Sequence, residues 1–306
     1  MLDDAGISFL VNPIGRKLKE AELVEMAKPF EVLIAGTEPI TAAVMANAPK
    51  LRLISRVGIG LDSVDLLAAR KRGITVSYTP DAPSPAVAEL TIGLMITLLR
   101  SAHVSNTQMR AGHWYRYFGR RIENTTIGII GLGRIGSQVL DHLRAFGSPQ
   151  LLVNDIEPNS ELDNRYNMER VSKETIYREA DLISLHLPLT GATYNMITRE
   201  QLLMMKKDAI IINNSRGGII NEDDLYQVMQ SGHLAGAAID VFEQEPYTGP
   251  LREIERCLLT AHMGSMALDC RARMEIEATE EAIRFLNDES LHGVVPEDEY
   301  AVQEGF

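Results

Sequence analysis

From Thr126 to Ser137 the chain reads TIGIIGLGRIGS, an apolar β-branched run followed by Gly131, Gly133 and Gly136 in the spacing G-x-G-x-x-G. The run favours a strand and the stretch from Ser137 to Phe146 a helix, which leaves the glycines to make the turn between them. Gly131 makes the bend, Gly133 lets the backbone approach a pyrophosphate, and Gly136 lets the helix pack closely on the strand. Amide groups at the helix start then face the phosphates. A second apolar run, Leu151-Leu152-Val153, ends in Asn154-Asp155, nineteen residues after Gly136. A carboxylate there accepts hydrogen bonds from both ribose hydroxyls and repels a 2′-phosphate, which points to NAD rather than NADP. A glycine motif alone is weak; strand, glycines, helix and acid in this order are specific.

The 306 residues are 45% apolar, enough to bury the cores of about two domains. A net charge of −12 argues against nucleic acid or an anionic membrane as the main partner, and an anionic substrate needs a local basic pocket. Cys257 and Cys270 sit in no metal-binding spacing, so the expectation is reduced thiols, no metal site and a cytoplasmic location. The start MLDDAGISFLV lacks a basic leader, and the longest apolar run, Leu90 to Leu99, is too short to span a bilayer.

Residues 7–11 (ISFLV), 32–35, 51–57 and 74–78 read as buried strands, with helices at 18–28 and 64–72 between them. Pro85 opens a long helix running to about Gly112, along which the domain junction falls. Beyond the glycine loop, strands recur at 182–185, 210–213, 237–240 and 258–260, alternating with helices, the pattern of a parallel doubly wound sheet. A last long helix spans roughly 266–287, and the acidic, proline-broken tail HGVVPEDEYAVQEGF reads as loose. The domain expectation is therefore residues 1–98 with 269–306 for substrate and 99–268 for the dinucleotide.

Ligands of such sheets lie outside the carboxyl ends of the strands, and three chemically suggestive groups fall there: Arg216 after IIINNS, Glu245 after AAIDVFEQ and His262 after CLLTA. Hydride exchange with a 2-oxo acid needs a cation for its carboxylate and carbonyl, a proton donor, and a group that keeps the donor charged. A guanidinium grips a carboxylate through two parallel hydrogen bonds. Imidazole exchanges protons near neutral pH, and a carboxylate beside it fixes its orientation. Each residue alone has an ordinary surface reading; their shared position after strands is what suggests chemistry. The other six histidines, His186 among them, read as ordinary surface, helix or loop groups.

The segments SRVGIGLDSVDLLAARKRGI (55–74), AVAELTIGLM (86–95), GIIGLGRIG (128–136), HLPLT (186–190), NNSRGGIINEDDL (213–225), GAAIDVFEQEP (236–246) and TAHMGS (260–265) resemble, in order, the D-isomer-specific 2-hydroxyacid dehydrogenases. Within that family the chain is most similar to the D-3-phosphoglycerate dehydrogenase branch. The resemblance implies an α/β chain of two doubly wound parallel-sheet domains, a Rossmann cofactor domain and a smaller flavodoxin-like substrate domain. It implies catalysis by Arg216, Glu245 and His262, and NAD held by Gly131, Gly133, Arg134, Ile135, Gly136, Asp155, Pro188, Ser215, Asp240 and Gly264. Val57, Gly58, Ile59 and Gly60 would hold the substrate carboxylate through backbone N–H groups, with Arg56 near a substrate phosphate. It also implies a homodimer with a contact around the aromatic segment 101–118.

Three departures accompany the likeness. Only six residues precede the segment matching ISFLVN, so the substrate domain is expected to lack its first strand, through a misplaced start, a rebuilt domain or a weakened one. No regulatory domain follows Asp288, so serine feedback is not expected. Asn221 and Ala261 stand where many members have Asp and Pro. The expected activity is NAD-dependent interconversion of a small anionic D-2-hydroxy acid and its 2-oxo acid, with 3-phosphoglycerate and 3-phosphohydroxypyruvate as the leading pair. The alternatives are a glyoxylate/hydroxypyruvate-type reductase and a corepressor-like NAD-sensing binding protein.

Overall fold

The computed structural model describes residues 1–157, 162, 165–166 and 168–304. The chain divides into two compact units, Met1–Pro83 with Met266–Phe306, and Ser84–Ser265. Elements of the first unit are α1 (Glu20–Met26), β1 (Val32–Ala35), α2 (Ala42–Asn47), β2 (Leu53–Arg56), α3 (Leu66–Lys71) and β3 (Thr75–Ser77). The second runs α4 (Ser84–Leu99), α5 (Ala102–Arg110), β4 (Ile127–Ile130), α6 (Arg134–Leu143), β5 (Leu151–Asn154), β6 (Met168–Arg170), α7 (Lys173–Glu179) and β7 (Leu182–Leu185). It continues through α8 (Arg199–Met204), β8 (Ile210–Asn213), α9 (Glu222–Gln230), β9 (Gly236–Ile239) and β10 (Cys257–Leu259). The first unit then closes with α10 (Leu268–Leu286) and α11 (Glu297–Glu304).

In the second unit seven parallel strands lie in the order β10-β9-β8-β7-β4-β5-β6. The chain enters at β4, winds outward through β5 and β6, and returns to β7 on the other side of β4. That reversal opens a crevice at the carboxyl ends of β4 and β7. β4, β7, β8 and β9 are buried along their whole length, as strands covered on both faces must be. Helix α4 is apolar around much of its girth because it is a core helix: Ala88, Met95 and Leu98 pack with Ile127, Ile129 and Leu140. Asn214 Nδ2 donates to Thr91 Oγ1 at 2.7 Å and ties the helix to the end of β8.

The first unit has a three-stranded parallel sheet, β1-β2-β3. Ile54 and Val76 face a cluster shared with Leu23, Val44 and Leu66 of the three leading helices. On the opposite face Ser55 Oγ donates to the Ala278 carbonyl of α10 at 2.8 Å. Each fully buried Leu or Ile in these clusters contributes about 1.5–3 kcal/mol of transfer free energy.

Several sequence expectations change. ISFLV forms no strand: Phe9, Leu10 and Val11 are exposed, since the segment finds no sheet edge to pair with. The long helix breaks into α4 and α5, bent by 62° at Ser101, whose φ of 50° lies in the left-handed region. With α4 packed on α6, the units separate at Pro83 rather than within the helix. β6, a short edge strand, had no sequence signal. The tail is ordered through Glu304; Gly305 and Phe306, the end of the expected loose segment, lie outside the described residues. Glu281, buried on α10, accepts the amide hydrogens of His292 and Gly293 at 3.0 Å, and the Gly293 carbonyl accepts the Tyr78 amide at 2.9 Å. Gln303 then bonds the Leu66 amide and the Val64 carbonyl, closing α11 onto α3.

Replacing Glu281 with alanine leaves two amides without their acceptor, and we expect a loss of roughly 1–3 kcal/mol. Hydrogen exchange should find residues 292–304 deprotected well before the sheet; a tail protected as in the unmodified protein would show that it docks without Glu281.

Candidate active site

Gly131, at the end of β4, has φ 97°, and a Cβ there would lie 2.3 Å from the His186 carbonyl oxygen at the end of β7. A Cβ on Gly136 would lie 2.0 Å from the Gly131 carbonyl oxygen, while Gly133 opens onto free space. The turn thus has the shape read from the sequence: two glycines packed against backbone and one facing outward where a phosphate would approach. Arg134 begins α6, and Ile135 anchors its first turn against the core. Asp155 Oδ2 accepts the Leu132 amide at 2.5 Å and Oδ1 accepts the Glu157 amide at 2.9 Å, which fixes the carboxylate beside the glycine turn. These residues fit a dinucleotide on an observation of the turn itself: replacing either packed glycine would fill the crevice with backbone clash.

His186 is a residue the sequence reading passed over. Its Nε2 lies 2.9 Å from Ser184 Oγ, its Nδ1 is buried without a hydrogen-bond partner among the described residues, and burial pushes its basicity down to about 4. It is therefore a neutral ring beneath the crevice. Its place directly after a buried strand was the available signal. Pro188 follows in a loop closed by Thr193 Oγ1, which donates to the Pro188 carbonyl at 2.7 Å.

On the other side of the crevice, successive strand ends bring the chemical groups forward. After β8, the Ser215 amide and hydroxyl both donate to Asn213 Oδ1, at 3.2 and 2.8 Å. Half-buried Arg216 donates from Nη1 to the Ser215 carbonyl at 2.7 Å. A Cβ on the next residue, Gly217, would lie 2.1 Å from the Phe242 carbonyl, so the loops after β8 and β9 touch. After β10, His262 Nδ1 lies 2.9 and 3.0 Å from the two carboxylate oxygens of Glu245. The imidazole and carboxylate joined in the sequence reading are thus brought together from 17 residues apart.

Asp240, fully buried at the end of β9, builds the turn that carries His262. Its carboxylate accepts the Thr260 hydroxyl at 2.6 Å and the Met263 and Gly264 amides at 2.8 and 2.9 Å, and its carbonyl accepts the His262 amide at 2.8 Å. His262 is held at φ 49°, a left-handed conformation that costs a non-glycine residue about 1–3 kcal/mol. Four hydrogen bonds to one aspartate offset that cost. The sequence reading had assigned Asp240 a cofactor contact by resemblance, and its part in shaping the histidine turn was not legible.

The residues expected on the substrate side lie in the first unit. Buried Arg56 ends β2, and its Nη1 donates to the Val57 carbonyl while Gly58 leaves room for the guanidinium. The Gly58 amide donates to Thr79 Oγ1 at 2.8 Å.

Residues 92–264 match the family described as D-isomer specific 2-hydroxyacid dehydrogenase, NAD binding domain. The chain is 37% identical over 284 residues to a D-3-phosphoglycerate dehydrogenase of Methanocaldococcus jannaschii, covering 91% of this chain and 54% of that protein, so it spans about half that relative's length. It is 34% identical to a hydroxypyruvate reductase of Thermotoga maritima, over 88% of this chain and 89% of that one. Among solved structures it superposes on the TT0316 protein of Thermus thermophilus with a TM-score of 0.86 and 32% identity, covering 96% and 95% of the two chains. A D-lactate dehydrogenase of Aquifex aeolicus, solved with NAD and lactic acid, gives a TM-score of 0.85 at 25% identity over 94% and 92%.

Asp155→Ala should narrow the preference for NADH over NADPH mainly by weakening NADH, by roughly 1–3 kcal/mol for the lost charge-assisted hydrogen bonds. Fluorescence titration with each cofactor measures this; equal affinity of the unmodified protein for both would remove Asp155 from the ribose.

Proposed function

Because the chain belongs to the D-isomer-specific 2-hydroxyacid dehydrogenases, we propose that it is an NAD-dependent reductase of a small, unphosphorylated 2-oxo acid. The observation that carries the chemistry is the His262–Glu245 pair, 2.9 Å apart beyond the carboxyl edge of the seven-stranded sheet. With Nδ1 committed to Glu245, His262 has Nε2 left to give a proton to the substrate carbonyl oxygen as it becomes a hydroxyl. Glu245 holds the ring in place through Nδ1. Arg216 clasps the carboxylate and polarises the carbonyl. Bound NADH supplies the hydride. For each turnover the carbonyl gains a hydride at carbon and a proton at oxygen, and His262 recovers its proton from solvent.

The charge of the first unit's strand-end loops supports an unphosphorylated substrate. The loops 36–40, 57–62 and 78–83 contain Glu38, Asp62 and Asp81 and neither lysine nor arginine; Arg56 at the end of β2 and Arg273 of α10, which interacts with Asp81, are adjoining cations. Glu38 Oε2 is buried with no hydrogen-bond partner among the described residues, folded over Gly36. A phosphate dianion beside the Glu38 carboxylate is repelled unless that acid is neutralised. The phosphoglycerate reading keeps one support, the 37% identity to the Methanocaldococcus jannaschii protein.

With NADH, kcat/KM for glyoxylate or hydroxypyruvate should exceed that for 3-phosphohydroxypyruvate, and Glu38→Lys should shift the ratio toward the phosphorylated acid. A phosphorylated acid preferred by the unmodified protein would overturn the choice, and turnover of none would favour an NAD-sensing binding protein. We further propose a cytoplasmic homodimer, supported by the exposed Trp114, Tyr115 and Phe118 and by the two buried free thiols. Light scattering at micromolar concentration should report twice the 33.9 kDa chain mass; a monomer would remove the dimer.

A further inference from the structure

The loop that carries Glu245 is held from below by a residue with no part in the proposed chemistry. Glu222 is the first residue of α9, half-buried, and its Oε1 accepts the Glu243 amide hydrogen at 2.7 Å. Two residues farther on stands Glu245. The same loop folds inward, with the Phe242 amide donating to Glu245 Oε1 at 3.2 Å and the Phe242 ring stacked on Tyr247 at 4.2 Å. On its outer side Tyr194 Oη donates to Glu243 Oε1 at 3.0 Å. Gly217 blocks any retreat toward β8, because its backbone already abuts Phe242. Glu222 of α9 thus grips this loop through the Glu243 backbone amide.

We propose that Glu222 is a positioning residue: by accepting the Glu243 amide it fixes the loop so that the Glu245 carboxylate meets His262 Nδ1 along both oxygens. This rests on the reading of His262 and Glu245 as the proton-transfer pair. The groups facing Glu222 are Glu243 and Glu245 from the loop, Asp223 from its own helix, and Tyr247. Burial, with Glu243, Asp223 and Glu245 adding like charge, raises its carboxyl above the ordinary range. A carboxylate in such company is electrostatically unfavourable. The simple alternative is that Glu222, like Asp223 and Asp224, only complements the amino-terminal end of α9.

The two roles ask different things of the side chain. A clamp needs an acceptor oxygen at the reach of glutamate or glutamine; a helix-end charge needs any carboxylate. We would follow the His262 Cε1–H resonance of the unliganded protein by NMR from pH 5 to 10, assigned by its loss in His262→Ala. Glu222→Ala and Glu222→Asp should both move the midpoint measurably, as Glu245 drifts off the ring. Glu222→Gln, which keeps the acceptor, should move it much less. Hydroxypyruvate reduction should fall roughly 10- to 100-fold in kcat in the first two variants, with NADH affinity unchanged, and be rescued in the third.

A Glu222→Asp variant that titrates like the unmodified protein while Glu222→Gln does not would overturn the clamp in favour of the helix-end role. So would an unmoved midpoint in both Glu222→Asp and Glu222→Ala; should Glu222→Ala not fold, Glu222→Asp decides alone. Full hydroxypyruvate reduction by His262→Ala would instead sink the proton-transfer reading, and the NMR midpoints would still decide whether Glu222 holds Glu245 on the ring.

Discussion

At the crevice of the seven-stranded sheet the backbone of Gly131 comes so close to the His186 carbonyl that no side chain fits. Because β4 and β7 are neighbours in the sheet, this contact sets how their carboxyl ends meet. Gly136 then draws α6 onto Gly131, and the Leu132 amide, turned away from the helix, is left to donate to Asp155. A methyl group at either glycine would separate strand from helix and carry the Asp155 anchor with it. The dinucleotide crevice, its acidic end and the orientation of the first helix are therefore one packing solution.

The proton-transfer side depends on a different device. Asp240 is buried, and its carboxylate is met by a hydroxyl and two amides. Hydrogen bonding to the charged form is what makes a buried carboxylate tolerable. The result is a rigid turn that presents His262 in a conformation it would not otherwise hold. Glu245 completes the arrangement from the neighbouring loop, and Glu222 and Gly217 confine that loop. A flexible imidazole would spend most of its time away from the acceptor oxygen; geometry fixed in advance is what makes a single histidine effective.

The chain carries a strong negative net charge, and the proposed substrate is an anion. Long-range repulsion is screened within about 8–10 Å at physiological salt, so a local guanidinium and oriented amides decide binding. In the proposed reading Arg216 is that guanidinium, and Glu38, with a carboxylate oxygen buried and unpartnered among the described residues, would disfavour a more highly charged substrate.

The glycine turn, the place of Asp155 beside it, the alternation of strands and helices, and the positions of Arg216, Glu245 and His262 after strand ends were legible in the sequence. The reason is local: strand propensity, tight-turn glycines and residues following a strand are properties of short segments, and a parallel sheet maps them onto one edge. The extended reading of ISFLV failed because apolar periodicity cannot say whether a partner edge exists, and here Phe9 to Val11 lie outside any sheet. The break at Ser101 and the docking of the tail depend on contacts with residues far along the chain, such as Glu281 with Gly293 and Gln303 with Leu66. Asp240 as the builder of the histidine turn, neutral His186 and the grip of Glu222 on Glu243 belong to the same class. They join residues that only folding makes adjacent, and burial, which sets their charge and their worth, is a property of the packed molecule and not of any segment of it.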